Sequence, residues 1–138
     1  MVSKDQKVDF KILRDGTWYH EGAPIKRERL AKLFSDRALS VDEDGNYWLK
    51  TPFEKYPVQV EDVPFVIVGY EGTKLRTNMD EYVDLKDGAR WELRGGIPYV
   101  EVRGGLYARI GRAVLYNMVE EFGTAIQLGE NSFPLGEA

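Results

Sequence analysis

The chain has 138 residues, 43% of them hydrophobic, and a formal net charge of −4. That bounds it to one domain, or two small subdomains, able to bury an ordinary core. Residues 1–69 carry 11 basic and 12 acidic side chains and residues 70–138 carry 8 and 11, so neither half is a basic platform for nucleic acid. Cysteine is absent, which excludes disulfides, thiol catalysis and thiolate metal sites and fits a reducing cytosol.

Residues 1–7 are polar, with no apolar core of a signal peptide, and no apolar run approaches a membrane span. The expectation is a soluble, cytoplasmic, bacterial-type protein. Alternation of Val8, Phe10 and Ile12 predicts a strand over 8–13. Asp15-Gly16 is a hairpin turn signal, residues 17–20 read as the return strand, and Gly22-Ala23-Pro24 breaks it. Leu30, Leu33 and Phe34 make one apolar stripe and predict a helix over 26–35. Residues 39–41 and 47–49 read as a hairpin around Asp44-Gly45-Asn46, and the proline-bracketed stretch 51–57 reads as irregular.

Val58 to Val60 alternates, Glu61-Asp62 interrupts, and Phe65 to Val68 is the best candidate for a fully buried strand. Residues 75–78 read as a short strand, 80–84 as an acidic stretch, and 86–88 as a turn. Leu115, Met118, Val119 and Phe122 predict a helix over 112–122, closed by Gly123. Two more strands are expected over 124–128 and 132–135.

Between these lies the most informative stretch, Trp91 onward. Every cation after Lys86 is an arginine. Gly95-Gly96 and Gly104-Gly105 read as two-residue hairpin turns, because glycine supplies the positive φ both positions need. The resulting meander puts Trp91, Leu93, Val100, Val102 and Tyr107 on one face and Glu92, Arg94, Tyr99, Glu101 and Arg103 on the other. It also puts Arg109 on the apolar face, where an unpaired guanidinium costs several kcal/mol. A bulge at the second turn moves Arg109 outward instead.

An internal repeat emerges at a gapless shift of 85 residues. Ala23 meets Ala108, Ile25 meets Ile110, Arg27 meets Arg112, Leu30 meets Leu115 and Asn46 meets Asn131, with Trp48 against Phe133. The predicted fold class is α+β: two similar β-α-β-β units side by side, residues 1–62 and 63–138, the second with a longer meander. Two such units leave a groove, a common kind of ligand site.

No motif names a reaction. His20 is the only histidine, and in a β-prone aromatic segment it reads as a strand residue rather than a base. No metal site is indicated: Asp42-Glu43-Asp44-Gly45 lacks the alternating ligands and closing glutamate of a calcium loop. Glu61 and Asp62, adjacent on a strand, point to opposite faces, so pairing with an arginine competes with a catalytic role. Arg103-Gly104-Gly105 offers guanidinium and turn amides to an anion, against the plainer reading of a hairpin turn. Arg109 and Arg112 point to the same ligand or to structural roles. Trp18, Tyr19, Tyr47, Trp48 and Phe53 stack a base or fill the core.

The motifs R-D-G-T-W-Y-H-E-G-A-P-I at 14–25, T-P-F-E-K at 51–55, V-E-D-V-P-F at 60–65 and P-Y-V-E-V-R-G-G-L-Y-A-R-I at 98–110 resemble a bacterial family, domain of unknown function 1285. The resemblance runs nearly end to end. It implies an α+β core with domain duplication, a C-terminal half superficially like a pleckstrin-homology fold, and a site at the domain interface for a nucleotide-like molecule. It also implies a role in signal transduction; no activity is established for the family. The interface motifs fall on Thr51, Glu54 and Lys55, on Glu61 and Asp62, and on Arg103, Gly104 and Gly105.

The reading is therefore a non-enzymatic module that binds an anionic, nucleotide-like ligand between its units. Its candidate site residues are Arg103, Gly104, Gly105, Arg109, Arg112, Thr51, Glu54, Lys55, Glu61 and Asp62. No cofactor, nucleic acid or membrane partner is indicated. A protein-interaction adaptor is the alternative, and a hydrolase using Glu54, Glu61 or Asp62 the third reading.

Overall fold

The structure is a computed structural model, and it describes residues 10–26, 38–50 and 55–136. Most of the expected helix 26–35, together with Thr51, Phe53 and Glu54, lies outside the described residues. The chain divides into two units, Met1–Pro64 and Phe65–Ala138.

The first unit contains β1 (Phe10–Ile12), β2 (Trp18–His20), β3 (Ala23–Pro24), β4 (Leu39–Val41), β5 (Tyr47–Lys50) and β6 (Lys55–Val60). They form one sheet in the order β3-β2-β1-β6-β5-β4. Two three-stranded antiparallel meanders meet at a parallel central pair, β1 with β6. Ile12, Trp18, Leu39 and Leu49 are its most deeply buried side chains. The Gly22-Ala23-Pro24 break is in fact a two-residue edge strand, Pro24 opposite Tyr19. The irregular stretch expected over 51–57 is strand from Lys55 onward, with Pro57 opposite Trp48. Described pairing to β1 begins at Val58, one residue beyond Pro57, where its missing N–H no longer matters.

The second unit contains β7 (Phe65–Glu71), β8 (Lys74–Thr77), β9 (Tyr82–Asp84), β10 (Trp91–Arg94), β11 (Ile97–Arg103) and β12 (Leu106–Ile110). Helix α1 (Arg112–Phe122) and a separate ribbon of β13 (Ala125–Leu128) and β14 (Asn131–Pro134) follow. The sheet order is β10-β11-β12-β7-β8-β9, again two antiparallel meanders joined by a parallel pair, β7 with β12. Read from the other edge, this is the topology of the first sheet strand for strand. The duplication is real, but its register is not the 85-residue shift. Matching the two parallel pairs puts Phe10 on Phe65 and Ile12 on Ile67, a shift of 55 residues. The 85-residue match instead sets the connection between β3 and β4 against α1, which follows the last strand of the second sheet. With the pleckstrin-homology outline the second unit shares antiparallel strands and a following helix; its parallel central pair departs from that outline.

One face of the second sheet is packed against its own chain. Trp91 meets Phe133 edge-on at 5.6 Å and donates Nε1–H to the Pro134 carbonyl at 2.7 Å. Tyr70 packs on Phe122 of α1 at 6.1 Å and donates to Glu121 Oε1 at 2.9 Å. Burial pushes the Tyr70 phenol up, and the neighbouring carboxylate adds to the shift. Gly111 starts α1 hard against the sheet: a Cβ there would lie 2.8 Å from the Ile67 carbonyl oxygen. The helix buries Val114 and Met118, while Val119 is 41% exposed. The expected stripe is thus turned by one position, Val114 taking the place predicted for Val119.

Candidate functional site

Both Gly-Gly pairs are turns with positive φ throughout, +57° and +81° at Gly95 and Gly96, +53° and +81° at Gly104 and Gly105. The meander departs from its predicted register at one point, where pairing shifts between Glu101 and Arg103. Tyr99 faces Arg109, Val100 faces Ala108 and Glu101 faces Tyr107, but Arg103 faces Leu106. The bulge inserts an unpaired residue, Val102, so everything beyond it changes side. Tyr107 and Arg109 join Tyr99 and Glu101 on the far face, away from α1. Arg103 moves the other way. The bulged alternative for Arg109 is the one realised, on the face away from α1, although its Nε is buried there between Tyr99 and Val66. The expected placements of Tyr107 and Arg103 are reversed.

Arg103 consequently runs over the Phe65 ring, its guanidinium 6.0 Å from the centroid, and Nε donates to Glu81 Oε1 at 3.0 Å. Both partners are largely buried, and Arg103 Nη2 and Glu81 Oε2 are each buried with no hydrogen-bond partner among the described residues. Arg103 and Arg109 therefore lie on opposite faces of one sheet and cannot grip one anion together. The Gly104-Gly105 turn already holds an anion of its own: Gly105 N donates to Glu101 Oε2 at 2.8 Å, and Arg90 stands 3.8 Å from the same carboxylate. Arg112 is exposed at the first position of α1, behind Gly111, which offers no side-chain cap.

The first unit's candidates do separate work. Lys55 lies with Nζ 4.1 Å from the Trp48 ring centroid. Glu61 Oε1 accepts from the Arg14 amide at 3.1 Å, and Asp62 pairs with the Arg14 guanidinium at 3.5 Å. The two acids together fasten the β1–β2 hairpin tip. His20 stacks on Phe10 at 4.4 Å, half-buried as a strand residue. Asp42 spends its carboxylate on its own hairpin, accepting from Asp44 N, Asn46 N and Trp48 Nε1. The indole bond, followed by the Asn46 amide, holds that carboxyl below the usual range. Among the described residues no cluster of three or more His, Asp or Glu side chains could hold a metal ion.

The far face of the second sheet is where cations and aromatic rings gather. Arg94 pairs with Glu92 and lies over both Tyr99 at 4.6 Å and Tyr107 at 5.3 Å. Further across the sheet is a recess of about 360 Å³, lined by Gly69, Tyr70, Glu71, Lys74, Arg76 and Tyr82. A second bulge, between Ile67 and Gly69, sets its floor, with Gly69 opposite Arg76 and Arg76 opposite Tyr82. Arg76 lies flat on Gly69: a Cβ there would meet its Nη2 at 2.8 Å. Asp80 pairs with Arg76 at 3.6 Å, and Lys74 Nζ stands 4.7 Å from the Tyr82 centroid. Asp84 accepts from Lys86 N and Thr73 Oγ1, both at 3.0 Å, and those bonds, the amide first, hold its carboxyl below the usual range. None of the recess residues was a sequence candidate. The signal available was Lys74-Leu75-Arg76-Thr77, which alternates cation with core residue, and a glycine inside a run of strand formers.

A duplicated α+β protein with two meander-built six-stranded sheets is thus defined by the fold, with a cationic, aromatic face on its second sheet. Residues 3–63 match the N-terminal domain of a family described as domain of unknown function (DUF1285). A DUF1285 family protein from Shewanella baltica OS155 is 34% identical, with a TM-score of 0.68, covering 83% of this chain and 92% of that one. Another from Silicibacter pomeroyi DSS-3 is 30% identical, with a TM-score of 0.72, covering 94% of this chain and 80% of that one. The chain belongs to the DUF1285 family, an uncharacterised family with bacterial members. No curated protein matches it.

Proposed function

We propose that the protein is a non-enzymatic ligand-binding module, that its ligand is anionic and nucleotide-like, and that it serves signal transduction. The observation that supports this is the far face of the second sheet. There Lys74 and Arg76 stand with Tyr82, which is 58% exposed, and Arg94 lies over Tyr107 beside the buried Tyr99. Guanidinium and ammonium groups beside tyrosine rings recognise an acidic group joined to a ring system, and turnover requires no part of this arrangement. Of the acids a hydrolase would use, Glu54, Glu61 and Asp62, the last two are engaged with Arg14.

A thermal-shift and calorimetric screen of nucleotides and simple anions tests the reading. A ligand at 100 times its Kd adds roughly 2.7 kcal/mol to stability. A panel in which no nucleotide or acidic metabolite stabilises the protein overturns it. The adaptor reading has its own observation: Tyr116 is 67% exposed and Val119 41% exposed, on the outward side of α1. Specific capture of a partner that is lost in Tyr116→Ser would favour it.

A further inference from the structure

We infer that the recess floored by Gly69 on β7, β8 and β9 is a binding site for a small planar acid, a flat ring carrying a carboxylate or a phosphate. This rests on the ligand-binding reading above and assigns it a place.

Apart from Tyr82, the recess residues lie in the β7–β8 hairpin, which is longer than its counterpart in the first unit. In the first unit five residues separate Ile12 from its partner Trp18; in the second, nine separate the matching Ile67 from its partner Thr77. The longer stretch carries the bulge at Val68, the glycine and both cations. Glycine inside a strand weakens it, so its presence needs a reason, and close approach of another group is the usual one. Here the approaching group is the Arg76 guanidinium, which occupies the space a Cβ would fill. Its side chain remains 39% exposed, so it lies down without being sealed.

The charged and aromatic groups around it divide the ligand's parts. Arg76 and Lys74 supply two cations on one strand face. Tyr82, 58% exposed and directly across from Arg76, supplies an open ring on which a flat ligand stacks. A volume of about 360 Å³ is at the small end for ligand pockets, enough for one ring system and its acid group. Glu71 and Asp80 set the selectivity. Asp80 holds Arg76 through an exposed contact, its own side chain 59% exposed, and such pairs are worth little. An arriving acid replaces it, while the two carboxylates repel a ligand of high negative charge, which favours singly or doubly charged acids.

The test uses the full chain and four probes: adenosine 5′-monophosphate for the phosphate arm, indole-3-carboxylate for the carboxylate arm, and adenosine and inorganic phosphate as half-ligands. Amide shifts in a nitrogen–proton correlation spectrum should move at Gly69, Lys74, Arg76 and Tyr82 with either ring acid, and far less with either half-ligand. Arg76→Gln should weaken binding at least about tenfold. Gly69→Ala, which alters no charge but displaces the guanidinium, should weaken it by a similar factor, and Asp80→Asn should strengthen it. Circular dichroism confirms that each variant folds. If a ring acid binds but shifts other amides, or binds Arg76→Gln and Gly69→Ala as tightly as wild type, the recess is overturned and the ligand-binding reading stands. If none of the probes and no acid in the wider screen binds, both fall.

Discussion

Removing Arg103 should damage the fold more than any ligand site, and a double-mutant cycle with Glu81 shows by how much. The two side chains are 19% and 27% exposed and meet at 3.0 Å through one bond of the two a guanidinium and carboxylate could make. A fully buried pair loses about 3–5 kcal/mol when one partner goes. Partial exposure lets water compensate, which lowers the expectation for Arg103→Met or Glu81→Leu alone to about 1–3 kcal/mol. Each single change leaves a largely buried charge without its counterion. The double change leaves none, and the thioether chain of Arg103→Met covers the Phe65 ring much as the arginine stem does. The double variant should therefore sit within about 1 kcal/mol of wild type, with a coupling of at least about 1 kcal/mol. Urea unfolding followed by circular dichroism measures all four proteins. Singles that cost nothing, or a double variant equal to the sum of its singles, would refute the assignment of Arg103 to structure.

Three further outcomes follow from the same geometry. Met118→Ala, at a fully buried position, should cost about 2–5 kcal/mol, whereas Val119→Ala, 41% exposed, should stay within about 0.5 kcal/mol; equal costs would restore the predicted stripe. Gly111→Ala gains about 0.4–1 kcal/mol from the unfolded state but forces a Cβ to 2.8 Å from the Ile67 carbonyl, so a net loss of about 1–2 kcal/mol is expected in thermal unfolding, and a gain would disprove the close approach. Asp84 should titrate below the ordinary 3.8 in carbon-detected spectra. Its contribution to stability is complete above that value and lost as pH falls through the lower folded pKa, so Asp84→Ala and wild type should converge in strong acid; titration at or above 3.8 contradicts the Lys86 and Thr73 bonds.

Local signals carried the turns and most strands, because glycine pairs and alternation act over a few residues. Gly95-Gly96 and Gly104-Gly105 are turns for the reason their composition gave. What escaped depends on a single unpaired residue or on partners far along the chain. Val102 and Val68 look like ordinary strand residues, yet each marks a bulge that decides which side its neighbours face. The candidate site suffered accordingly: Arg103 and Arg109 exchanged faces, and the recess, which needs the bulge at Val68, was invisible. The duplication was legible as a fact but not in its register, because the gapless shift locked onto helix-like stripes while the repeated feature is strand pairing. The α1 stripe moved by one position because Gly111, and not the apolar spacing, fixes how the helix meets β7.

The parallel central pairs impose a timetable on synthesis. In each sheet the first strand made is the last one completed, since β1 must wait for β6 and β7 for β12. Phe10 meets Val58, and Phe65 meets Ala108, so more than forty residues must leave the ribosome before either sheet closes. The meanders can zip locally within microseconds, but their open inner edges stay unprotected until the parallel pairing forms. At roughly 5–20 residues per second that interval is seconds long for each unit. The first sheet can close while the second is still being made, so a nascent chain stalled once Val60 has emerged from the ribosome should already resist protease across the first unit.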